Sequence, residues 1–544
     1  MAEEQKTPSN PSEMMATPAT QTAIVPLKAA MPYTDLIFDL GDVLSFWSGK
    51  GLDLPVDSRQ LGYMLSGPEW CDHECGLLSR KDCFAKLTNK YGVQPEDMQK
   101  AIDLLAGSLK YNYELIKTIR NIKFASKGTI RVHLMTNITA DDWKVLKEPV
   151  ESWDIFDNIF TSFSSGHRKP ELACYQQMLR RFSIDSRTAV FIDDKPENVV
   201  AAQTLGMFGI NFTSTEQAIA QLLGLIAEPV VRGEAWLRNN AKNMRDEAST
   251  GDVMFFDHFA QTLILEFTGD SSLVVLQDGE RETYNVFIDP PVLTTTTFPD
   301  DVDTTAVTFL NVDGIAQEVK NKVMDRMLGM RTDDGLFLTY FDDNRPRIDP
   351  AVSASLLRLY YSQGRGEEVQ QTLEYLYRVV ETKAYMVSLR YYMHPEWFFY
   401  YLSDLVRKHQ DPELVELRNL LKIRLQEHLL DPSNQDAWGT AMRCLAAQNM
   451  GLDCSRDINR LQQLQNSDGS WKKDSWIYRY GSSGILVGCG GLVTAAAVRA
   501  LKRATQAGQH DPLPIPEKRR GIIRWVVSTF KKQLLEKRSS DRVW

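Results

Sequence analysis

The chain has 544 residues, well beyond the length at which one hydrophobic core stops growing, so at least two domains are expected. Its formal charge of −9, without dominant basic runs, lacks the electrostatic footprint of a nucleic-acid binder. The seven cysteines (Cys71, Cys75, Cys83, Cys174, Cys444, Cys454 and Cys489) are odd in number and scattered, which argues against a disulfide framework and suits a reducing, cytoplasmic compartment.

Residues 1–30 are rich in Pro, Thr, Ser, Gln and Ala and read as a disordered tail. No segment approaches the ~20 continuous apolar residues that a bilayer crossing needs, so a soluble protein with no obligatory membrane partner is expected. From residue 31 to 227, short apolar strands alternate with helical patterns: Thr34 to Asp39, Ile130 to Met135 and Ala189 to Ile192. That alternation predicts a Rossmann-like α/β domain, with ligands at the carboxyl ends of its parallel strands. A mostly helical insertion over about residues 49–123 has the length and position of a cap above those ends. Within it, Cys71, His73 and Cys75 lack the paired spacing of a structural zinc site.

Residues 228–544 change to repeated amphipathic helices, including Pro350 to Tyr361, Glu367 to Val380, Pro395 to Leu405, Pro412 to Leu430, Ala437 to Gln448 and Leu492 to Ala507. Helices joined by short polar turns predict an all-α domain of the α/α-barrel kind. A last helix, about residues 518–537, is basic and amphipathic and reads as a solvated face.

The chemistry of the first half lies in residues that close its strands. Asp39 is placed to attack phosphorus, splitting hydrolysis into transfer to the enzyme and then to water. Repulsion between that carboxylate and a phosphate calls for a divalent cation, and Asp193 and Asp194 offer the hard oxygen ligands that Mg²⁺ prefers. Thr136 and Asn137 offer donors to phosphate oxygen, and Lys169 a fixed positive charge.

In this order and at these strand ends, the four elements resemble the motifs of the haloacid dehalogenase superfamily. The resemblance implies an aspartyl-phosphate phosphatase with Mg²⁺ held by Asp39, Asp193, Asp194 and the backbone carbonyl of Gly41. Gly41 is also the departure, because family phosphatases usually carry a general-acid aspartate there. A diphosphate leaving group needs little protonation, so the substitution is compatible with phosphoanhydride cleavage.

In the second half, the run Asp301-Val302-Asp303-Thr304-Thr305-Ala306 stands out. Protonating an alkene demands a carboxyl group that stays neutral near pH 7, which an apolar pocket and a second adjacent carboxyl both favour. Asp301 and Asp303 share a face if the segment is extended, and the two threonine hydroxyls can orient the proton. A helix starting there would oppose the shift, so burial has to win. A capped acidic loop or a calcium-type turn would use the same residues.

This run resembles the Asp-x-Asp-Asp-Thr-Ala signature of class II terpene cyclases, with Thr304 in place of the last aspartate. The resemblance implies Asp303 as general acid and Asp301 as its partner, with Thr304 and Thr305 in support. Gln465 to Trp471 resembles a Gln-x-x-Asp-Gly-Ser-Trp motif that is structural in such barrels. Aromatic residues are dense: Trp236, Phe255, Phe256, Tyr391, Tyr392, Trp397, Phe398, Trp476 and Tyr478. Aromatic faces stabilise carbocations without capturing them. No helix carries a convincing aspartate-rich metal motif of the ionisation-initiated cyclases, and Asp342 to Pro346 reads as a turn.

The combination resembles the fused drimane-type sesquiterpene synthases of the drimenol and albicanol synthase kind. It implies farnesyl diphosphate as substrate, bicyclisation started by Asp303, and dephosphorylation of the cyclic diphosphate to a drimane alcohol or monophosphate. Two other readings fit: a cyclase with a non-catalytic phosphatase-like scaffold, and a capped phosphatase carrying a helical protein-interaction domain.

Overall fold

The computed structural model describes residues 25–29, 31–147, 153–277, 281–387, 389–430, 436–472, 476–481 and 483–508. Two compact units divide the chain, residues 1–240 with 462–473, and residues 241–461 with 474–544. Residues 1–24 and 30 of the expected tail and the expected helix over 518–537 lie outside the described residues.

The first unit is built on strands β1 (Asp35–Phe38), β4 (Arg131–Thr136), β5 (Asn158–Thr161), β6 (Ala189–Asp193) and β7 (Phe208–Asn211), with a small hairpin of β2 (Ser45–Phe46) and β3 (Lys110–Tyr111) beside them. The five form a parallel sheet in the order β5-β4-β1-β6-β7. Their near-continuous apolar runs fit strands covered on both faces. Leu36, Phe38, Val132, Leu134, Val190 and Ile192 pack on one side with helices Tyr113–Ser126 and Thr215–Ile226. Ile37, Met135 and Phe191 face helices Leu172–Arg181 and Pro196–Thr204 on the other.

Register positions the chemistry. Phe38 is level with Leu134 on one neighbour and Ile192 on the other, so Asp39, Thr136 and Asp193 all emerge at the same edge of the sheet.

Helices Ser58–Leu65, Pro68–Glu74, Arg80–Tyr91 and Pro95–Gly107 form the cap around a separate core that includes Leu61, Met64, Trp70, Phe84 and Leu87. The cap is shorter than the expected 49–123. Tyr113–Ser126 carries its apolar stripe of Leu115, Ile116, Ile119 and Ile122 onto the sheet instead, and periodicity alone does not tell which surface such a stripe covers. Of the expected tail, Leu27 pairs with Ala227, and Lys28 Nζ donates to the carbonyls of Gly224 and Leu225.

Helix Pro229–Asn239 also belongs to the first unit, locked to segment 462–473. Arg232 donates to Gln465 Oε1 at 2.8 Å and to the carbonyls of Asn466 and Ser467, while Gln465 Nε2 donates to the carbonyls of Pro229 and Gly469. Gly469 has φ +94°, and a Cβ there would stand 2.7 Å from the Arg232 carbonyl oxygen. The Gln-x-x-Asp-Gly-Ser-Trp segment thus ties a turn to a helix.

In the second unit, helices His258–Thr268, Val302–Asn311, Pro350–Ser362, Glu396–Lys408, Ala437–Asn449 and Gly490–Gly508 each pack on the next, and the last packs on the first. This closed ring, with outer helices such as Gln370–Glu381 and Leu414–Leu430, is the α/α barrel. Ring helices are buried nearly all round, Ala351 to Tyr361 without a break. Buried charges join them: Arg358 pairs with Glu266 at 2.6 Å and Asp404 at 2.9 Å, linking three ring helices. Sequence reading did not anticipate the four-stranded antiparallel sheet of β8 (Asp246–Ala248), β9 (Met254–Phe255), β10 (Tyr478–Arg479) and β11 (Leu486–Gly488). Strands of two or three residues are too short to show an alternation. No helix among the described residues is long and apolar enough to cross a membrane.

Candidate active sites

At the carboxyl edge of the parallel sheet lies a pocket of about 650 Å³. It is lined by Asp39, Gly41, Thr136, Asn137 and Lys169 from below and by Leu65, Trp70, Arg80, Ile102 and Leu105 from the cap. Lys169, almost fully buried, pairs with Asp39 at 2.8 Å and Asp193 at 2.6 Å and donates to the Met135 carbonyl. Asn137 clamps the Lys169 backbone, its Oδ1 accepting from the N–H at 2.9 Å and its Nδ2 donating to the carbonyl at 3.0 Å. Its side chain therefore positions the lysine, and Asn137 lines the pocket beside Thr136. Thr136 is buried, with its hydroxyl close to the Asn137 carbonyl at 3.5 Å.

Oxygens of Asp39, Asp193 and Asp194 lie within 4.8 Å of one another. Asp193 is anchored by Lys195 N–H and Asn198 Nδ2, both at 2.9 Å. Asp194 Oδ1 is buried without a hydrogen-bond partner. An orphaned carboxylate oxygen beside two more carboxylates fits a hard divalent cation. Burial, helped by Asp193 and opposed by Lys169, pushes Asp39 up to about 7, and burial also raises Asp194. For Lys169, burial acts downward, but Asp39 and Asp193 outweigh it and hold the ammonium charged.

The second site is a cavity of about 510 Å³ wholly within the barrel unit. Asp301, Asp303 and Thr304 line it, with Phe259, Phe298, Tyr340, Tyr391, Tyr392, Tyr478 and Tyr480 as its aromatic wall. Of the nine aromatic residues singled out by sequence, Tyr391, Tyr392 and Tyr478 are in that wall. Trp397 and Phe398 are fully buried core, and Trp236 lies in the other unit, donating to Asp468 at 3.1 Å.

The acid segment is half extended and half helical. Asp301 is the N-cap of Val302–Asn311, its Oδ1 accepting from Thr304 N–H at 2.7 Å and its Oδ2 from Thr304 Oγ1 at 2.9 Å. Asp303 already sits in the first helical turn, so the shared face of an extended strand, expected from sequence, is replaced by a cap and a helical residue. The physical reason is the strong preference of Asp for N-cap positions. Thr305 Oγ1 turns back to the Asp301 carbonyl at 2.7 Å and accepts from Tyr284 N–H at 3.0 Å, away from the proton.

Burial wins over the helix. Asp303 is 3 % and Asp301 6 % exposed. Burial pushes Asp303 up to about 6 against hydrogen bonds from Tyr392 and Ser355, and holds Asp301 well above the carboxylate range despite its contacts with Thr304. Tyr392 donates its phenolic hydrogen to Asp303 Oδ2, while Oδ1 is buried without a well-formed hydrogen bond. Arg345, Arg347, Arg390 and Arg479 also line the cavity. Sequence marked Tyr392 as one of the dense aromatic residues and not as a donor to Asp303, and the arginine set belongs to no motif; Arg168, which pairs with Glu74 in the sheet-edge pocket at 3.0 Å, at least adjoins Lys169.

A parallel sheet with strand-end aspartates, a buried lysine and an inserted cap is the architecture of a haloacid dehalogenase-type hydrolase, and an α/α barrel around a buried acid is that of a class II terpene cyclase. Family models agree: residues 74–212 match the haloacid dehalogenase-like hydrolases, and residues 230–363 the sesquiterpene cyclase astC-like C-terminal domain. The chain is 35% identical over 467 residues to drimenol cyclase drtB of Aspergillus calidoustus, covering 86% of this chain and 87% of that protein. It is 33% identical over 190 residues to the sesquiterpene phosphatase astK of Aspergillus oryzae, which spans 35% of this chain and 95% of the phosphatase. Among solved structures, a type II terpene cyclase from Scytonema is 11% identical over 53% of this chain and 98% of its own, with a TM-score of 0.39. The chain belongs to the drimane-type sesquiterpene synthases in which a haloacid dehalogenase-like domain is fused to a class II terpene cyclase domain.

Proposed function

We propose that the barrel unit protonates and bicyclises farnesyl diphosphate and that the sheet unit then dephosphorylates the drimane-type product. The observation that carries the first step is Asp303, sealed at the wall of an aromatic cavity with its carboxyl held up to about 6. Oδ1, the oxygen that Tyr392 leaves free, is the one to carry the proton to the terminal alkene. Electrons of the alkene form the new C–H bond, the cation is attacked by the internal double bonds, and two rings close. Aromatic faces around the cavity stabilise the positive charge, each such contact contributing roughly 0.5–2 kcal/mol. Arg345, Arg347, Arg390 and Arg479 supply the positive charge that a diphosphate requires, and about 510 Å³ lies in the range of small-ligand pockets.

In the sheet unit Asp39 is the nucleophile, and Lys169 spreads its charge over the phosphoryl group in flight. Mg²⁺, held by Asp39, Asp193, Asp194 and the Gly41 carbonyl, would neutralise the repulsion between carboxylate and phosphate. Leu65, Trp70, Ile102 and Leu105 of the cap give the pocket an apolar side for a terpenoid leaving group. The seven unbridged cysteines support a cytoplasmic location.

The test is incubation of the full chain with farnesyl diphosphate and Mg²⁺, with products read by mass spectrometry. A drimane skeleton is expected, and Asp303→Ala should abolish ring closure; cyclisation by that variant would refute the acid assignment. Gly41 favours a second reading, a cyclase whose sheet unit no longer hydrolyses. Under it the purified chain releases the cyclic diphosphate and no inorganic phosphate.

A further inference from the structure

Ring closure ends in a carbocation that has to lose a proton, and the structure holds a second tyrosine–aspartate couple that the first protonation does not use. Tyr478 lines the cavity and donates its phenolic hydrogen to Asp257 Oδ2 at 2.5 Å. Asp257 is completely buried and does not line the cavity; its Oδ1 caps helix His258–Thr268 through Ala260 N–H at 3.1 Å. Beside it lies Asp246, also completely buried, with neither carboxyl oxygen in a well-formed hydrogen bond. Tyr478 and Tyr392 face each other across an antiparallel bridge, so the donor couple Asp303/Tyr392 and this couple stand side by side on one wall.

We propose that Tyr478 is the base of the terminating step and that Asp257 is the acceptor that takes its proton. The inference rests on the cyclase reading above. The C–H bond next to the cation breaks, its electron pair becomes the new double bond, the proton goes to Tyr478 Oη, and the phenolic proton moves to Asp257 Oδ2. After product release Asp257 returns its proton to water, and Asp303, left as a carboxylate by the first step, takes one up.

Three features favour this assignment. A carboxylate in contact with the cation would capture it as an ester, whereas a phenol is a poor nucleophile and screens the anion behind it. Among the described residues, the cavity phenols whose donation to a carboxylate is seen are Tyr392 and Tyr478, and Tyr392 is committed to the acid. Tyr391 receives a hydrogen bond from Arg347, a cation, which suits it poorly to accept another proton. Asp257 accepts hydrogen bonds from Tyr478 and from Ala260 N–H, which favour its ionised form, whereas burial and the neighbouring Asp257 charge favour the neutral form of Asp246. The pair then holds one negative charge, on the carboxylate that faces Tyr478.

The full-length variants Tyr478→Phe and Asp257→Asn, with farnesyl diphosphate and Mg²⁺, test the inference. Protonation is untouched, so substrate consumption should stay within about threefold of wild type. The ratio of misdirected products (isomeric alkenes and the water-captured hydroxylated bicycle) to the native product should rise at least ~10-fold. Both variants should give the same misdirected set, and the double variant should add nothing further, because the residues act in one relay. An unchanged product profile in Tyr478→Phe overturns the proposal, as does loss of substrate consumption in a folded variant, which would move Tyr478 to the first proton transfer. Wild-type inertness toward farnesyl diphosphate would instead overturn the cyclase reading itself. If one variant fails to fold by thermal melting, the other decides; if both fail, 3,5-difluorotyrosine at position 478 keeps the contacts and weakens the base, and an unchanged profile then overturns the proposal.

Discussion

Tyr392 donates its phenolic hydrogen to Asp303 Oδ2, and both side chains are buried. The bond has two opposed effects on an acid that gives up its proton. It favours the carboxylate that remains after transfer, and by the same token lowers the pKa that burial has raised. Tyr392→Phe keeps the ring against Phe259 and Trp397 and removes only the donor. Ring closure should slow by roughly 10–100-fold, as expected for the loss of one donor to a developing anion. The pH at which cyclisation falls should also move upward, a shift that a packing defect would not produce.

The wild-type pH profile follows from the sign of the same shift. Only protonated Asp303 can start the reaction, so kcat/KM for ring closure should decline as pH rises through about 6. Stability follows the same direction. A carboxyl whose folded pKa lies above the ordinary 3.8 favours folding below that value, and the contribution is lost as pH rises through about 6. Melting temperature should therefore drop between pH 4 and 7 in the wild type, and less steeply in Asp303→Asn.

Much of this arrangement was legible from residue order. Asp39, Thr136, Asp193 and Asp194 sit at strand ends, and strands of near-continuous apolar residues announce themselves, whereas Lys169 comes from a loop between two helices. Motifs are local, and that is their limit. His258–Thr268 and Val302–Asn311 were not recognised as ring helices because both are buried almost all round and show no polar face. Tyr392 meets Asp303 across 89 positions and Tyr478 meets Asp257 across 221; no pattern in one sequence encodes a contact made only by closure of the ring. Asn137 lines the pocket and also clamps the Lys169 backbone, a role that only the three-dimensional neighbourhood reveals.

Asp39→Asn should separate the two activities. The amide cannot attack phosphorus, so phosphate release should fall by at least ~10³-fold. Because the barrel cavity lies within its own unit, cyclisation should continue and the bicyclic diphosphate should accumulate. Phosphate release and product mass, measured on the same sample, check both halves; undiminished alcohol output would place phosphate removal elsewhere.

Arg358 pairs with both Glu266 and Asp404 among three ring helices, and Asp404 is also paired with Arg407 and Lys408, each at 2.8 Å. Arg358→Met roughly conserves volume but takes from buried Glu266 its ion-pair partner, while Asp404 keeps Arg407 and Lys408. Removing one partner of such a cluster costs about 3–5 kcal/mol. A urea melt of the variant should show a loss of that order with an unchanged m-value, whereas a loss below ~1 kcal/mol would mean that Arg407 and Lys408 already balance the cluster.

Gly41 stands where a general acid is usual, and the backbone there leaves room for one. A Cβ on Gly41 would meet Trp47 Nε1 at 3.7 Å, an ordinary contact, and its φ is not positive. Gly41→Asp should therefore be accepted without strain. If leaving-group protonation is what the chain lacks, the variant should accelerate hydrolysis of an alkyl monophosphate, whose alkoxide leaves poorly, by about 10²-fold. Cleavage of a phosphoanhydride, whose leaving group needs little help, should change by less than about threefold. Equal acceleration of both substrates would show that the new carboxylate acts on the metal site and not on the leaving oxygen. No acceleration of either would show that protonation does not limit this domain, and that its glycine reflects a substrate for which the acid was dispensable.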